Sequence, residues 1–198
     1  MAEFSASDVR RQTSDPRLVI LDRDGVINED SDHYIKSPEE WIAIPGSAEA
    51  IARLNQAGYT VVVATNQSGL GRGYFSLQTL HAIHDKMRHT VASAGGHIDQ
   101  IFYCPHAPEE GCDCRKPASG LIDQIARHYA ANLAGVAVVG DSLRDLQCGL
   151  SHRCQPVLVK TGKGERTLAK GLPSELAQTP VFESLSAFVD HFLQAEQV

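Results

Sequence analysis

The stretch Leu18-Val-Ile-Leu-Asp-Arg-Asp-Gly-Val-Ile-Asn28 constrains this chain more than any other. Four apolar residues, Leu18 to Leu21, run straight into two carboxylates, Asp22 and Asp24. A short unbroken apolar run of this kind reads as a parallel strand covered on both faces. Open α/β sheets place their ligands at the carboxyl ends of such strands. In extended chain Asp22 and Asp24 point to one face, and Gly25 then permits a sharp turn. Two like charges so close repel unless a proton or a cation sits between them. Mg2+ relieves that repulsion simply, since it takes one or two carboxylates and leaves its other positions to water and phosphate. Asp and Gly are also ordinary turn residues, so the rest of the chain must decide.

At 198 residues the chain has room for one domain with a sizeable core. Its formal net charge is −6 and no basic run exceeds a dipeptide, so nucleic acid is not an expected partner. No stretch approaches the eighteen continuous apolar residues of a transmembrane helix, so no membrane association is expected. Met1 to Pro16 lacks the apolar core of a signal peptide. Residues 1–15 are expected to form a flexible tail, and residues 16–198 a single domain acting as a monomer. The odd number of cysteines, five, without an export signal argues against a disulfide framework and places the chain in the cytoplasm.

Strands and helices alternate. After the strand at Leu18–Asp22, residues 25–45 read as a loop or small hairpin anchored by Tyr34, Trp41 and Ile44. A helix is expected over 47–57, where Ala50, Ile51 and Leu54 keep helical spacing and Gly58 closes the end. Thr60–Thr65 is a second buried strand, and 66–73 a loop. A helix capped by Ser76 follows to about Ala94. Further strands are expected at 98–103, 136–140, 156–159 and 181–182. Helices are expected after Ser119, from Leu143 to about Ser151, near 165–169 and from Leu185. This alternation implies a doubly wound, Rossmann-like parallel sheet with right-handed crossovers.

Polar residues suited to one task close three of these strands: Asp22-x-Asp24, Thr65-Asn66 and Gly140-Asp141, with Asp145 four residues later. Arg115-Lys116-Pro117 opens the helix after a cysteine-rich loop. In a parallel sheet these pieces share one edge. The ordered set resembles the haloacid dehalogenase-like superfamily of phosphotransferases, over about Leu18 to Val159. Asp22-Arg-Asp24-Gly-Val-Ile-Asn28 matches its first motif, Thr65 its second, Lys116 its third, and Gly140-Asp-Ser-Leu-Arg-Asp145 its fourth. The resemblance implies that Asp22 attacks phosphorus and forms an aspartyl-phosphate. It makes Asp24 the acid for the leaving alcohol and then the base for water. It gives Thr65 and Lys116 the phosphoryl oxygens. A catalytic Mg2+ is implied on Asp22, the Asp24 backbone carbonyl and Asp141, with Asp145 supporting this set from outside. The spaces between motifs are too short for a cap domain, which points to the capless branch.

Cys104-Pro-His106-Ala-Pro-Glu-Glu-Gly-Cys112-Asp-Cys114 supplies three thiols and an imidazole within eleven residues. Thiolates and imidazole suit tetrahedral Zn2+, and four protein ligands make a closed structural site. This zinc loop followed by Arg115-Lys116 resembles two families of capless phosphatases. One cuts the 7-phosphate of D-glycero-D-manno-heptose 1,7-bisphosphate in lipopolysaccharide core precursor synthesis, and the other hydrolyses histidinol phosphate. Thr65-Asn-Gln-Ser68, Gly69 to Gly73 and Gly140 to Gln147 are more similar to the first, so a small sugar bisphosphate is the expected substrate and histidinol phosphate the alternative. The resemblance places Asp30, His33, Thr65, Asn66, Gln67, Ser68, Arg115 and Lys116 near the substrate, with Arg72, Arg144 and Lys163 as possible further cations. Ser142 stands where some relatives carry lysine. The run Gly69-x-Gly71-x-Gly73 lacks the spacing of a dinucleotide fingerprint, so its glycines serve close approach of backbone to the substrate or a turn.

Overall fold

The computed structural model describes residues 17–195. The tail expected at 1–15 lies outside the described residues. Six parallel strands form one sheet in the order β3-β2-β1-β4-β5-β6. They are β1 (Leu18–Leu21), β2 (Thr60–Asn66), β3 (Gln100–Cys104), β4 (Ala137–Gly140), β5 (Gln155–Val159) and β6 (Val181–Phe182). The sheet grows outward in both directions from β1 and β4, which pair Leu21 with Val139. Such a reversal of strand order opens a crevice at the carboxyl edge.

Alternation along each strand sends side chains to opposite faces. Val19, Leu21, Val61, Val63, Val139 and Val157 join one core with residues of α1 (Ser47–Gln56), α3 (Leu77–Ser93) and α7 (Leu185–Ala195). Leu18, Ile20, Val62, Ala64 and Val138 join the other with Leu121, Ile122 and Ile125 of α4 (Gly120–Tyr129). Both faces of β1 are therefore sealed, as its unbroken apolar run requires. Each buried leucine or isoleucine contributes about 1.5–3 kcal/mol of transfer free energy. Among the described residues no helix is long and apolar enough to cross a membrane.

Several expectations shift locally. The segment 25–45 is no regular hairpin, since isolated bridges join Asp24 to Asn28 and Asn28 to Ala43. Ile35 and Trp41 anchor it in the core, whereas Tyr34 is half-buried with its ring 5.0 Å from that of Tyr74. The loop expected at 66–73 contains a one-turn helix, α2 (Ser68–Gly71). Helix α5 (Leu143–Cys148) stops at Gly149, and a 3-10 turn at Leu150–His152 continues it. The Ser76 hydroxyl caps α3 by accepting from the Thr79 N–H. The Ser119 hydroxyl instead donates to Asp123 within α4. The short helix α6 (Gly164–Ala169) follows β5.

Candidate active site

The carboxyl ends of β1, β2 and β4 meet in one cleft of about 230 Å3. Asp22, Asp24, Thr65, Lys116, Asp141 and Asp145 all line it. Gly25 makes the close approach of these pieces possible. Its φ of +83° suits glycine, and a Cβ there would stand 2.0 Å from Asp141 Oδ2.

Lys116 is the electrostatic hub. Its ammonium is buried and lies 2.9 Å from Asp22 Oδ1 and 2.6 Å from Asp145 Oδ1, and it donates to the Ala64 carbonyl at 2.7 Å. Burial works against the Lys116 charge, but Asp145 and Asp22 outweigh it and hold the ammonium protonated. Asp145 also accepts from the N–H and the hydroxyl of Ser142, at 3.0 and 2.5 Å. Ser142 thus orients Asp145, which orients Lys116.

Burial raises the Asp22 carboxyl to about 6, against the opposing pull of Lys116. Burial likewise raises Asp141 to about 8, with Asp145 and Asp22 adding repulsion. One ligand oxygen from each of Asp22, Asp141 and Asp145 lies within 4.8 Å of the others. Asp145 is already committed to Lys116 and Ser142. Asp22 and Asp141 are the pair left in need of a cation, and Mg2+ fits such a pair with its remaining positions given to water and phosphate. The expected Asp24 contribution is a backbone carbonyl, because the Asp24 side chain is engaged elsewhere.

Arg23 is 1% exposed and wraps Asp24, with its Nη2 2.9 Å from both carboxylate oxygens. Asn28 Nδ2 and Gln67 Nε2 donate to the same carboxylate at 2.9 and 3.0 Å. Burial would raise Asp24, but the Arg23 charge and these hydrogen bonds hold it below the usual carboxylate range. Arg23 Nη1 lies 3.4 Å from Nε2 of buried His84. Nothing in the sequence pattern flagged Arg23 or His84. The position of Arg23 between two motif aspartates was the one available signal.

The expected substrate residues divide. Asp30, Thr65, Asn66, Gln67, Ser68, Arg115 and Lys116 line the cleft. His33 does not: it is exposed, in a turn where the Ser31 hydroxyl accepts from the His33 N–H. Asn66 uses both ends of its amide on the Lys116 backbone, accepting from its N–H at 3.0 Å and donating to its carbonyl at 3.1 Å. Gln67 Nε2 also donates to Thr65 Oγ1. Asn66 and Gln67 therefore position Lys116, Asp24 and Thr65. Arg115 Nη1 is buried without a hydrogen-bond partner among the described residues, so it is available to a ligand oxygen. Of the further cations, Arg144 and Lys163 line the cleft, while Arg72 pairs with Glu109 outside it.

The segment after β5 contributes what the sequence left unassigned. The Lys163 N–H donates to Asp141 Oδ2 at 2.7 Å, and the Thr167 hydroxyl to the Asp141 carbonyl at 2.8 Å. Thr161 donates to the Gly25 carbonyl at 2.6 Å. A fifth parallel strand ends at the same edge, which is the signal that points to these residues.

The cysteine loop closes as expected. Cys104 Sγ lies 3.5 Å from Cys112 Sγ, and Cys114 Sγ 3.6 Å from Cys112 Sγ and 3.3 Å from His106 Nδ1. All four ligand atoms lie within 4.8 Å of one another. A tetrahedron with 2.3 Å metal–sulfur bonds has edges of about 3.8 Å, so Zn2+ fits. Gly71 serves this loop rather than the substrate. Its N–H donates to the Pro105 carbonyl, and a Cβ would stand 2.7 Å from that oxygen.

The chain is similar to known proteins in sequence and fold. Residues 17–146 match the family model described as polynucleotide kinase 3 phosphatase, and residues 113–188 the HAD-hydrolase-like model. A D-glycero-beta-D-manno-heptose-1,7-bisphosphate 7-phosphatase of Bordetella bronchiseptica is 58% identical over 90% of this chain and 98% of its own length. A D-glycero-D-manno-heptose-1,7-bisphosphate 7-phosphatase of Thermosynechococcus vestitus is 35% identical over 87% and 93%. The crystal structure of the D,D-heptose 1,7-bisphosphate phosphatase from B. bronchiseptica, complexed with magnesium and phosphate, superposes with a TM-score of 0.87 at 58% identity, covering 90% of this chain and 99% of that one.

Proposed function

Because the chain belongs to the haloacid dehalogenase-like family of heptose-1,7-bisphosphate 7-phosphatases, we propose that it removes the 7-phosphate of D-glycero-beta-D-manno-heptose 1,7-bisphosphate. The observation that carries the reading is the Asp22–Lys116–Asp145 chain, built on buried Lys116 and Asp145 and facing Asp141, in a chain so similar to enzymes of that name. The product serves lipopolysaccharide core precursor synthesis, as the motif resemblance implies, and the address is the cytoplasm.

Asp22 is the nucleophile. Its carboxylate oxygen bonds to phosphorus while the bond from phosphorus to the C7 oxygen breaks. Asp24 gives its proton to that leaving oxygen, then takes one from the water that attacks the aspartyl-phosphate. The resting site holds Asp24 ionised, so it takes up this proton as the substrate enters. A phosphate monoester, with its second pKa near 6, brings one for part of its population. Lys116 and Thr65 hold the phosphoryl oxygens, and Lys116 balances charge that develops on them. Mg2+, held by Asp22, Asp141 and the Asp24 carbonyl, supplies charge neutralisation and orientation. Zn2+ on Cys104, His106, Cys112 and Cys114 is structural and fixes the loop that carries Arg115 and Lys116.

Competition kinetics test the substrate. The heptose 1,7-bisphosphate is preferred over histidinol phosphate by at least tenfold in kcat/KM, about 1.4 kcal/mol of transition-state discrimination. Equal use of both, or preference for histidinol phosphate, overturns the substrate while leaving the phosphatase chemistry standing.

A further inference from the structure

The turn between β5 and α6, Lys160-Thr-Gly-Lys-Gly164, packs directly on the carboxyl edge of the sheet. Gly162 has a φ of +58°, and a Cβ there would stand 2.3 Å from Asp141 Oδ2 and 2.5 Å from the Gly25 Cα. A Cβ on Gly25 would stand 2.0 Å from the same oxygen. Asp141 Oδ2 is thus walled by two backbones that only glycine lets so close. Hydrogen bonds fix the wall in place. The Lys163 N–H donates to Asp141 Oδ2, the Thr167 hydroxyl to the Asp141 carbonyl, and the Thr161 hydroxyl to the Gly25 carbonyl.

The carboxylates grouped here offer a cation few free oxygens. Asp145 accepts from Lys116 on Oδ1 and from Ser142 on Oδ2. Asp22 accepts from Lys116 on Oδ1, and Asp141 from the Lys163 N–H on Oδ2. Among the described residues this leaves Asp22 Oδ2 and Asp141 Oδ1, one oxygen from each member of the metal pair. Mg2+ needs one or two carboxylates in a near-ideal octahedron, with bonds of about 2.0–2.1 Å. Ca2+ takes about six to eight oxygens at about 2.3–2.6 Å and often uses both oxygens of a carboxylate. Carboxylates held to one oxygen each suit the first ion and supply too few oxygens for the second.

We propose that the 161–167 segment sets the metal selectivity of the site: by engaging and walling in Asp141 Oδ2, it holds Asp141 to a single ligand oxygen and favours Mg2+ over Ca2+. Thr161, Gly162 and Thr167 are positioning residues, which act through Asp141 and Gly25 and not on the substrate. The inference rests on the Asp22–Asp141 metal pair above and is independent of which sugar phosphate is cut.

The test is calorimetric titration of substrate-free protein with MgCl2 and with CaCl2, so turnover plays no part in it. The wild type should bind Mg2+ more tightly than Ca2+ by about tenfold or more. Gly162→Ala drives a Cβ onto Asp141 Oδ2 and should lower that ratio about fivefold or more. The double variant Thr161→Val with Thr167→Val loses both hydroxyl bonds and should lower it about threefold or more. Both threonines are half-buried, so valine is tolerated, and Thr167→Ser, which keeps its hydroxyl, should keep the wild-type ratio. Circular dichroism checks folding, and if Gly162→Ala does not fold the double variant decides alone. A folded variant of either kind that keeps the wild-type ratio, including one that weakens both ions equally, overturns the selectivity and leaves the metal pair and the phosphatase reading standing. A wild type that binds both ions without preference overturns it too. A wild type that binds neither ion removes the metal pair and the inference with it.

Discussion

The side-chain amide of Asn66 clasps the backbone of Lys116 at both ends, accepting from its N–H and donating to its carbonyl. Fifty residues separate the two in sequence. The clasp ties the end of β2 to the segment just after the cysteine loop and so helps place the Lys116 ammonium in the cleft. Asn66→Ala removes both bonds, each worth about 1 kcal/mol net. Urea unfolding should show a loss of about 1–3 kcal/mol, and kcat should fall more than tenfold. A variant with wild-type kcat would show that Lys116 is placed without Asn66.

Asp22→Asn should lower kcat by at least about 10⁴-fold, as loss of a covalent nucleophile does in other enzymes. The Mg2+-free variant should be no less stable than the wild type, because burial makes the Asp22 charge costly. Calorimetry and single-turnover assays read the two effects separately. Phosphate release at the wild-type rate from correctly folded protein would end the aspartyl-phosphate mechanism.

Mg2+ affinity should rise with pH and level off above about 8. Burial, with Asp145 and Asp22 adding repulsion, raises Asp141 to about 8, and burial raises Asp22 to about 6. Protons therefore compete with the metal up to those values. The sign for the metal-free fold is the reverse. Its pKa values lie above the unfolded 3.8, so the fold binds the extra protons and loses stability as pH rises toward about 8. Titration calorimetry at pH 6, 7 and 8 checks the first statement, and a flat affinity would contradict it.

The purified protein should carry about one Zn2+ per chain. Cys112→Ser should weaken its retention and lower kcat, because the loop delivers Lys116 to the cleft. Metal analysis of protein prepared without chelators decides the stoichiometry, and an absence of zinc would sink the site.

His84 should make stability fall on the acid side. Burial, then the nearby Arg23 charge, pushes its imidazole down to about 3. An unfolded histidine titrates near 6.5, so below that pH the unfolded chain binds a proton that the fold refuses. The contribution is full above pH 6.5 and is lost toward pH 3, at up to about 1.4 kcal/mol per unit. His84→Gln should flatten the stability curve between pH 6.5 and 4. Parallel curves for variant and wild type would place the acid sensitivity elsewhere.

Local chemistry in the sequence determined the sheet, the motif carboxylates and the zinc quartet. An apolar run that ends in Asp-x-Asp, repeated by further apolar runs that end in polar residues, fits buried parallel strands with their acids at one edge. Four soft ligands within eleven residues leave little conformational choice. What the polar side chains do was decided by the tertiary structure. Asn66 reads as a substrate contact until the fold brings the Lys116 backbone within 3.0 Å of it. His33 reads as a cleft residue until its turn leaves it exposed. Arg23 reads as a spacer until the fold buries it around the Asp24 carboxylate and beside His84, and Lys163 and Thr167 find Asp141 only when β5 and β4 lie side by side. Periodicity specifies which face a residue takes, because burial acts on each side chain alone. A hydrogen bond needs two groups within about 3 Å, and for residues far apart in sequence that distance exists only once the chain has folded.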